Sequence, residues 1–142
     1  TMNARRYLFA SLGVFVVYFV LSIIVHWVLL KGAYEATADV WRPQTEMNAY
    51  MPILWVTQLV VSFLFVFIYT KGYEGKGIME GVRYGLWIGL LMSIPMAFGS
   101  YASLPIPLGL AIRWLVFGLV EFIILGIVAA AIYKPAAQPA AA

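Results

Sequence analysis

The sequence predicts an all-α membrane protein, a bundle of four transmembrane helices with both termini in the cytoplasm. The 142-residue chain is 64% hydrophobic and only 11% charged, and its mean hydropathy is +0.94, whereas soluble domains are about half apolar and about a quarter charged. Four stretches are as long as a membrane-crossing helix, which needs about 20 mostly apolar residues. Short loops join them, so we expect one transmembrane domain over residues 1–134.

The four predicted spans follow one another along the chain. The first covers residues 7–30 and the second covers residues 50–70, and neither contains a charged side chain. The third, residues 81–101, contains only Arg83, near its start. The fourth, residues 108–133, is the exception, because it carries an arginine and a glutamate inside its apolar run.

Basic side chains predict the orientation of the bundle. Four spans place both termini and the second loop on one side, and cytoplasmic segments are enriched in lysine and arginine. We interpret the net charge of +3 as this topological signal and expect no nucleic-acid binding. The tail, residues 135–142, is rich in alanine and proline and is expected to be flexible. The predicted cytoplasmic side holds Arg5, Arg6, Lys71, Lys76, Arg83 and Lys134, against Lys31, Arg42 and Arg113 on or near the other side.

The residue types that the chain lacks exclude several chemistries. There is no cysteine, and His26 is the single histidine. Disulfide frameworks and thiolate metal sites are therefore excluded, and one copy of the chain cannot ligate a haem through two histidines. The glycine-rich segment 71–77 matches neither nucleotide-binding pattern, and the sequence contains no metalloprotease, EF-hand or nucleophile-elbow motif. We therefore expect no enzyme activity and no cofactor.

The sharpest pattern lies in the third span, where small residues recur at every fourth position. Lipid provides no hydrophobic drive for helices to associate, and small residues at this spacing let two backbones approach closely. We therefore predict a close helix–helix contact along this stripe, more readily within the bundle than between two copies of the chain. The stripe consists of Gly77, Gly81, Gly85, Gly89, Ser93 and Ala97.

Glu121 lies near the middle of the fourth predicted span. Ionisable side chains inside a bilayer are costly, so each one is a functional-site hypothesis by default. One interpretation is a proton relay, a cation site or a ligand contact. The other is a neutral glutamate that hydrogen-bonds to a neighbouring helix and holds the bundle together. The sequence leaves both open.

Three further polar side chains, those of His26, Gln58 and Arg113, are placed at similar depth in the outer leaflet. If the first, second and fourth spans face one another there, these side chains form a polar pocket. Arg113 precedes Glu121 by eight residues, which sets the two about 80° apart around a helix, so we expect no ion pair between them. His26 is expected to be a structural hydrogen-bonding residue, with ligation of a tetrapyrrole as the less favoured alternative.

Three segments are similar to those of small four-span bacterial inner-membrane proteins of a family without an assigned activity. They are LKGAYE at residues 30–35, YTKGYEGKG at residues 69–77 and EGVRYG at residues 80–85. The resemblance covers most of the chain except its tails and implies the four-span fold and a bacterial inner-membrane location, but no activity. Small multidrug transporters are also four-span proteins, but their membrane carboxylate lies in the first helix, where this sequence has no acidic residue.

Two classes of function remain. The first is an accessory or scaffold subunit of a larger membrane complex, for example an energy-converting one, with other membrane subunits or further copies of the chain as partners. The missing catalytic motifs, the stripe of small residues and the small soluble mass favour it. The alternative is a small transporter or channel-like protein that uses Glu121 and the outer pocket. A wet cavity that Glu121 shares with Arg113 would favour transport, and a packed neighbour that caps Glu121 with no opening would favour the subunit.

Overall fold

The computed structural model describes residues 2–134, and Thr1 and the predicted tail at residues 135–142 lie outside the described residues. As predicted, the described chain is all-helical, and four of its helices are long and apolar enough to cross a membrane. These four are α1 (Ala4–Ile23, continued by a π-helical stretch, Ile24–Leu29), α3 (Gln44–Lys71), α4 (Ile78–Ser103) and α5 (Leu108–Ile132). Between α1 and α3 lie a short helix, α2 (Lys31–Glu35), and a 3₁₀ turn (Ala38–Val40).

The helices begin at residues that suit a helix N-terminus. The Asn3 side chain accepts a hydrogen bond from the Arg6 backbone N–H at 3.1 Å, which satisfies one of the free amides at the start of α1. Pro43 and Pro107 directly precede α3 and α5. Their fixed φ and missing N–H cost nothing there, because the first amides of a helix have no intrahelical partner.

The four long helices pack unequally. α4 and α5 form the closest pair, and α1 packs on both α5 and α3. α1 and α4 are not packed closely against each other. α1 and α4 therefore pack on α5 without close contact between them, which leaves a gap between their backbones.

Glycines of both helices bring α4 and α5 together. A Cβ atom at Gly81 or Gly85 would collide with the backbone of α5, at Gly126 and Phe122 respectively. Gly126 in turn lies against the backbone of Gly81. The close contact is therefore within one chain, and the predicted small residues from Gly81 to Ala97 are all buried along α4.

Gly77 does not belong to this contact. It is the residue before α4, its φ is +73°, and a Cβ atom there would meet no atom within 4 Å. The prediction that it is part of the packing stripe is wrong, because the position requires a left-handed backbone, which glycine adopts without a steric penalty. Gly77 fits the four-residue spacing of the stripe, but the turn before α4 requires it and the packing of α4 on α5 does not.

The two ends of the bundle differ in how they close. At one end, which we call the terminal end, the Asn3 backbone N–H donates to the Tyr133 hydroxyl at 3.4 Å, so the start of α1 and the end of α5 lie side by side. Tyr84 there donates to the carbonyl of Phe65 at 2.5 Å and ties α4 to α3. At the opposite end, the capped end, α2 and the 3₁₀ turn cover the helix ends around Leu30 and Trp114, both buried.

Candidate functional site

Glu121 is the central feature of the site. Its side chain is 7% exposed, and within residues 2–134 its Oε1 atom has no hydrogen-bond partner. A buried carboxyl oxygen without a partner loses the hydrogen bonds that water would give it. Glu121 is therefore not held by a hydrogen bond from a neighbouring helix at that oxygen.

A cavity of about 160 Å³ lies beside the Glu121 carboxyl. Three helices line it, and most of the lining is aromatic or aliphatic. The carboxyl is the only acidic group in that lining. The cavity lies among Tyr18, Val25, His26, Met92, Ser93, Met96, Trp114, Phe117, Gly118, Glu121 and Phe122.

Packed side chains close the cavity toward the terminal end. The ring of Phe122, at the cavity wall, lies 6.1 Å from the ring of Tyr18 and 5.8 Å from the ring of Phe65. Below these rings, Leu125 and Val14 are almost completely buried in the main core. The described residues therefore place an apolar layer between Glu121 and the terminal end.

A hydrogen-bonded aromatic cluster closes the cavity toward the capped end. Tyr34, on α2, shares a hydrogen bond between its hydroxyl and His26 Nδ1 at 2.6 Å. Trp114 Nε1 donates to the same hydroxyl at 2.9 Å. Trp41 lies edge-on to Trp114, with ring centroids 5.9 Å apart. Burial raises the pKa of the Tyr34 phenol, so the hydroxyl stays protonated in this cap.

The π-helical stretch places His26 at the cavity. The Leu30 backbone N–H donates to the Val25 carbonyl at 2.8 Å, an i→i+5 bond. Such stretches are rare and are frequent at functional sites. Here the wider turn brings Val25 and His26 into the cavity wall, and α2 can then fold back over them.

The most exposed wall of the cavity is on α4, beside the gap between α1 and α4. Met92 and Met96 line it from α4 and are 44% and 47% exposed. Because α1 does not pack closely on α4, these two flexible side chains form the edge of the opening. The way to Glu121 is therefore lateral with respect to the helix axes.

The structure does not bring together the predicted pocket of His26, Gln58 and Arg113. Only His26 shares a cavity with Glu121. Gln58 donates instead to the Ser22 hydroxyl at 2.6 Å, between α3 and α1, and Arg113 is exposed. Arg113 is absent from the cavity because of its angular position around the axis of α5.

Trp114 lies seven residues before Glu121, about 20° away around the helix, and it fills the place that the prediction gave to Arg113. Arg113, the residue before Trp114, is rotated about 100° from Trp114 around the helix axis. Depth along the helix was enough to group the polar residues but not to say which of them face each other.

A second buried carboxylate, that of Glu80, was missed by the sequence analysis. It is 5% exposed, and its Oε1 and Oε2 accept hydrogen bonds from the backbone N–H groups of Glu74 at 2.8 Å and Lys76 at 2.7 Å. The sequence signal was a glutamate three residues after Gly77, the residue that precedes α4. From this position a carboxylate can reach back to the free backbone amides before the helix. Glu80 is thus a structural group that shapes the α3–α4 loop.

Glu74, in the same loop, is held by cations on its exposed side. Its carboxylate lies 2.5 Å from Lys76 Nζ and 3.2 Å from an Arg83 guanidinium nitrogen. Hydrogen bonding to Lys76 lowers the pKa of the Glu74 carboxyl. The loop therefore combines a buried carboxylate, each of whose oxygens accepts a backbone hydrogen bond, with an exposed one that pairs with solvent-accessible charges.

Replacing Glu80 by alanine is expected to loosen the α3–α4 loop, because two backbone amides lose their acceptor at once. Each lost bond costs about 1 kcal/mol, so amide hydrogen exchange over residues 72–77 should speed up by more than about tenfold. Exchange followed by peptide mass spectrometry measures this. Glu74→Gln is the matched control, because it removes only the exposed ion pairs, which contribute little. Unchanged exchange in Glu80→Ala would contradict the assigned role.

The site offers little for a metal or a large cofactor. Within the described residues, no group of three or more histidine, cysteine, aspartate or glutamate side chains is placed to hold a metal ion. A cavity of about 160 Å³ is also below the roughly 300–1,000 Å³ of pockets that enclose drug-sized ligands. The geometry suits a small ion or a head group at Glu121 better than a tetrapyrrole at His26.

Comparisons of the chain with protein-family models, with curated proteins and with solved structures find no match.

Proposed function

We propose that this chain is a small integral membrane transporter in which Glu121 is the site that takes up a proton or a cation. The single observation that carries the proposal is a buried glutamate, with a carboxyl oxygen that has no partner, in the wall of a cavity lined by three helices. No chemical reaction is assigned to the chain.

The proposed setting is the bacterial inner membrane, with the terminal end in the cytoplasm. The length and apolarity of α1, α3, α4 and α5 support a place in a bilayer. The excess of lysine and arginine at the terminal end supports the orientation, and the resemblance to small four-span bacterial proteins supports the type of membrane. The capped end then faces outward.

Energetics support a functional rather than a structural role for Glu121. A carboxyl in the apolar interior is unfavourable unless its oxygens are hydrogen-bonded, and one oxygen of Glu121 is not. In a buried glutamate kept for stability, both carboxyl oxygens would be expected to accept hydrogen bonds, as they do in Glu80. Glu121 also lines the cavity, where its carboxyl group is the acidic group that a proton, an ion or a ligand would meet.

The test is proton movement in proteoliposomes that contain a pH-sensitive dye. Under an imposed pH gradient, the wild-type chain is expected to carry protons, and Glu121→Gln is expected to reduce the protein-dependent rate to the background of empty liposomes. Glutamine keeps the shape of the side chain but cannot exchange a proton.

Arg113→Gln provides the control for this test. Arg113 is exposed and does not line the cavity, so its replacement is expected to leave the rate unchanged. A Glu121→Gln variant that carries protons as fast as the wild type would contradict the proposal. A wild type without protein-dependent movement would contradict proton transport through Glu121.

The accessory-subunit function is the second candidate, and one observation favours it. The apolar layer around Phe122 and Leu125 separates Glu121 from the terminal end, which suits a static protein better than a channel. Against it, the small residues of α4 are used within the chain, between α4 and α5, and are not left for a partner. Purification in mild detergent tests this candidate: recovery of the chain without other membrane proteins would count heavily against it.

A further inference from the structure

Packed side chains lie at both ends of the Glu121 cavity. On one side lie Phe122, Phe65 and the main core. On the other side, the Tyr34 hydroxyl is bonded to both His26 and Trp114. The most exposed wall of the cavity is that of Met92 and Met96 on α4, which faces the lipid in the proposed membrane setting.

The chemistry of the cavity is that of a cation site in an apolar frame. It presents one carboxyl group, that of Glu121, and the rings of Tyr18, Trp114 and Phe117. Aromatic faces attract cations, and rings around an anionic group are a known way to hold ammonium ligands. A neutral head group would leave the Glu121 carboxylate without a counter-charge, and an anionic one would be repelled by it.

The edge of the opening is suited to a flexible chain. Met92 and Met96 are unbranched, polarizable side chains that adapt to irregular apolar partners, and both are partly exposed there. A cavity of about 160 Å³ has room for a head group, while a longer apolar tail would have to lie in the gap between α1 and α4.

We propose that the Glu121 cavity binds the ammonium head of a membrane-soluble amphiphile, which reaches it from the bilayer between α1 and α4 and leaves its alkyl chain along Met92 and Met96. This inference rests on the proposed function of Glu121 and names the substrate class of the same site. A hydrophilic cation of the same charge is expected to bind less well, because it has no alkyl chain to lie along Met92 and Met96.

The test measures how fast dicyclohexylcarbodiimide, a lipid-soluble reagent that modifies protonated carboxyl groups, labels Glu121 of the full chain in phosphatidylcholine liposomes. Peptide mass spectrometry gives the rate, and Glu121→Gln gives the background. Three competitors separate head group from chain: dodecyltrimethylammonium has both, tetramethylammonium has the head alone, and dodecanol has the chain with a neutral head. None of them carries an amine that the activated carboxyl can acylate.

Dodecyltrimethylammonium is expected to slow the labelling about tenfold at a concentration roughly ten times its dissociation constant, since about one site in ten is then free. The other two are expected to have no effect. Equal protection by tetramethylammonium would overturn the lateral route, and equal protection by dodecanol would overturn the cation preference.

Two further outcomes separate this inference from the proposed function. Labelling of Glu121 that none of the three slows would overturn the ligand class and leave a reachable carboxyl, on which the proposed function depends. No labelling at all would overturn the route from the bilayer, while the proton-movement assay would still decide the transport function by itself.

Discussion

Replacing Gly85 by alanine is expected to push α4 away from α5 and to lower the free energy of unfolding by about 1–3 kcal/mol, the usual cost of forcing an extra carbon into a packed contact. The new Cβ atom would collide with the backbone of α5 at Phe122 and Ile123. Backbone atoms cannot turn aside as a flexible side chain can, so one helix must shift.

Gly99→Ala is the matched control for Gly85→Ala, because Gly99 also lies inside α4. A Cβ atom there would meet nothing within 4 Å, and alanine is the better helix former by about 1 kcal/mol. Gly99→Ala should therefore be neutral or stabilising. Unfolding in mixed micelles with increasing sodium dodecyl sulfate, followed by circular dichroism, measures both. Equal effects of the two substitutions would contradict a glycine-dependent contact between α4 and α5.

Replacing Glu121 by leucine is expected to stabilise the folded chain by about 1–3 kcal/mol, the penalty of a buried polar group without its partner. Leucine fills similar space and needs no hydrogen bond. At the same time proton movement should disappear, since function and stability oppose each other at such a site. If Glu121 instead held the bundle together, its removal would destabilise the chain.

Glu80→Leu is the control for the direction of this stability change. Glu80 and Glu121 are both buried carboxyl groups, but Glu80 accepts two backbone hydrogen bonds. Its replacement leaves the amides of Glu74 and Lys76 without an acceptor and should destabilise the chain. The same unfolding titration compares the two variants. A loss of stability in Glu121→Leu as large as that in Glu80→Leu would support the structural role and contradict the functional one.

The four long helices could be predicted because their signal is local. A continuous apolar run of sufficient length indicates a span without knowledge of its neighbours. The capped end was not predicted, because α2 and the π-helical stretch owe their shape to contacts between distant residues. The Tyr34 hydroxyl, for example, bonds to Trp114, 80 positions further along the chain.

The candidate site could be predicted only in part. Glu121 stands out because a carboxyl in an apolar run is costly wherever it lies. Which side chains face it depends on helix rotation and on which helices are neighbours. For that reason Trp114 and Tyr18 were missed, while Arg113 and Gln58 were wrongly grouped with it.

Glu80 and Gly77 illustrate a second limit. Glu80 looks in the sequence like an ordinary charge at the edge of a span, and its burial follows from a loop that folds back over it. That loop depends on positive φ angles at Gly75 and Gly77. The same glycine that seemed to continue the packing stripe is therefore required by the turn.

The central claim is that Glu121 is a carboxyl reached from the bilayer through the gap between α1 and α4. The most direct measurement compares its labelling in liposomes by lipid-soluble dicyclohexylcarbodiimide and by a water-soluble carbodiimide. We expect the lipid-soluble reagent to modify Glu121 and the water-soluble one to modify only exposed carboxyl groups such as that of Glu46. Modification of Glu121 by the water-soluble reagent alone, or by neither, would contradict the claim.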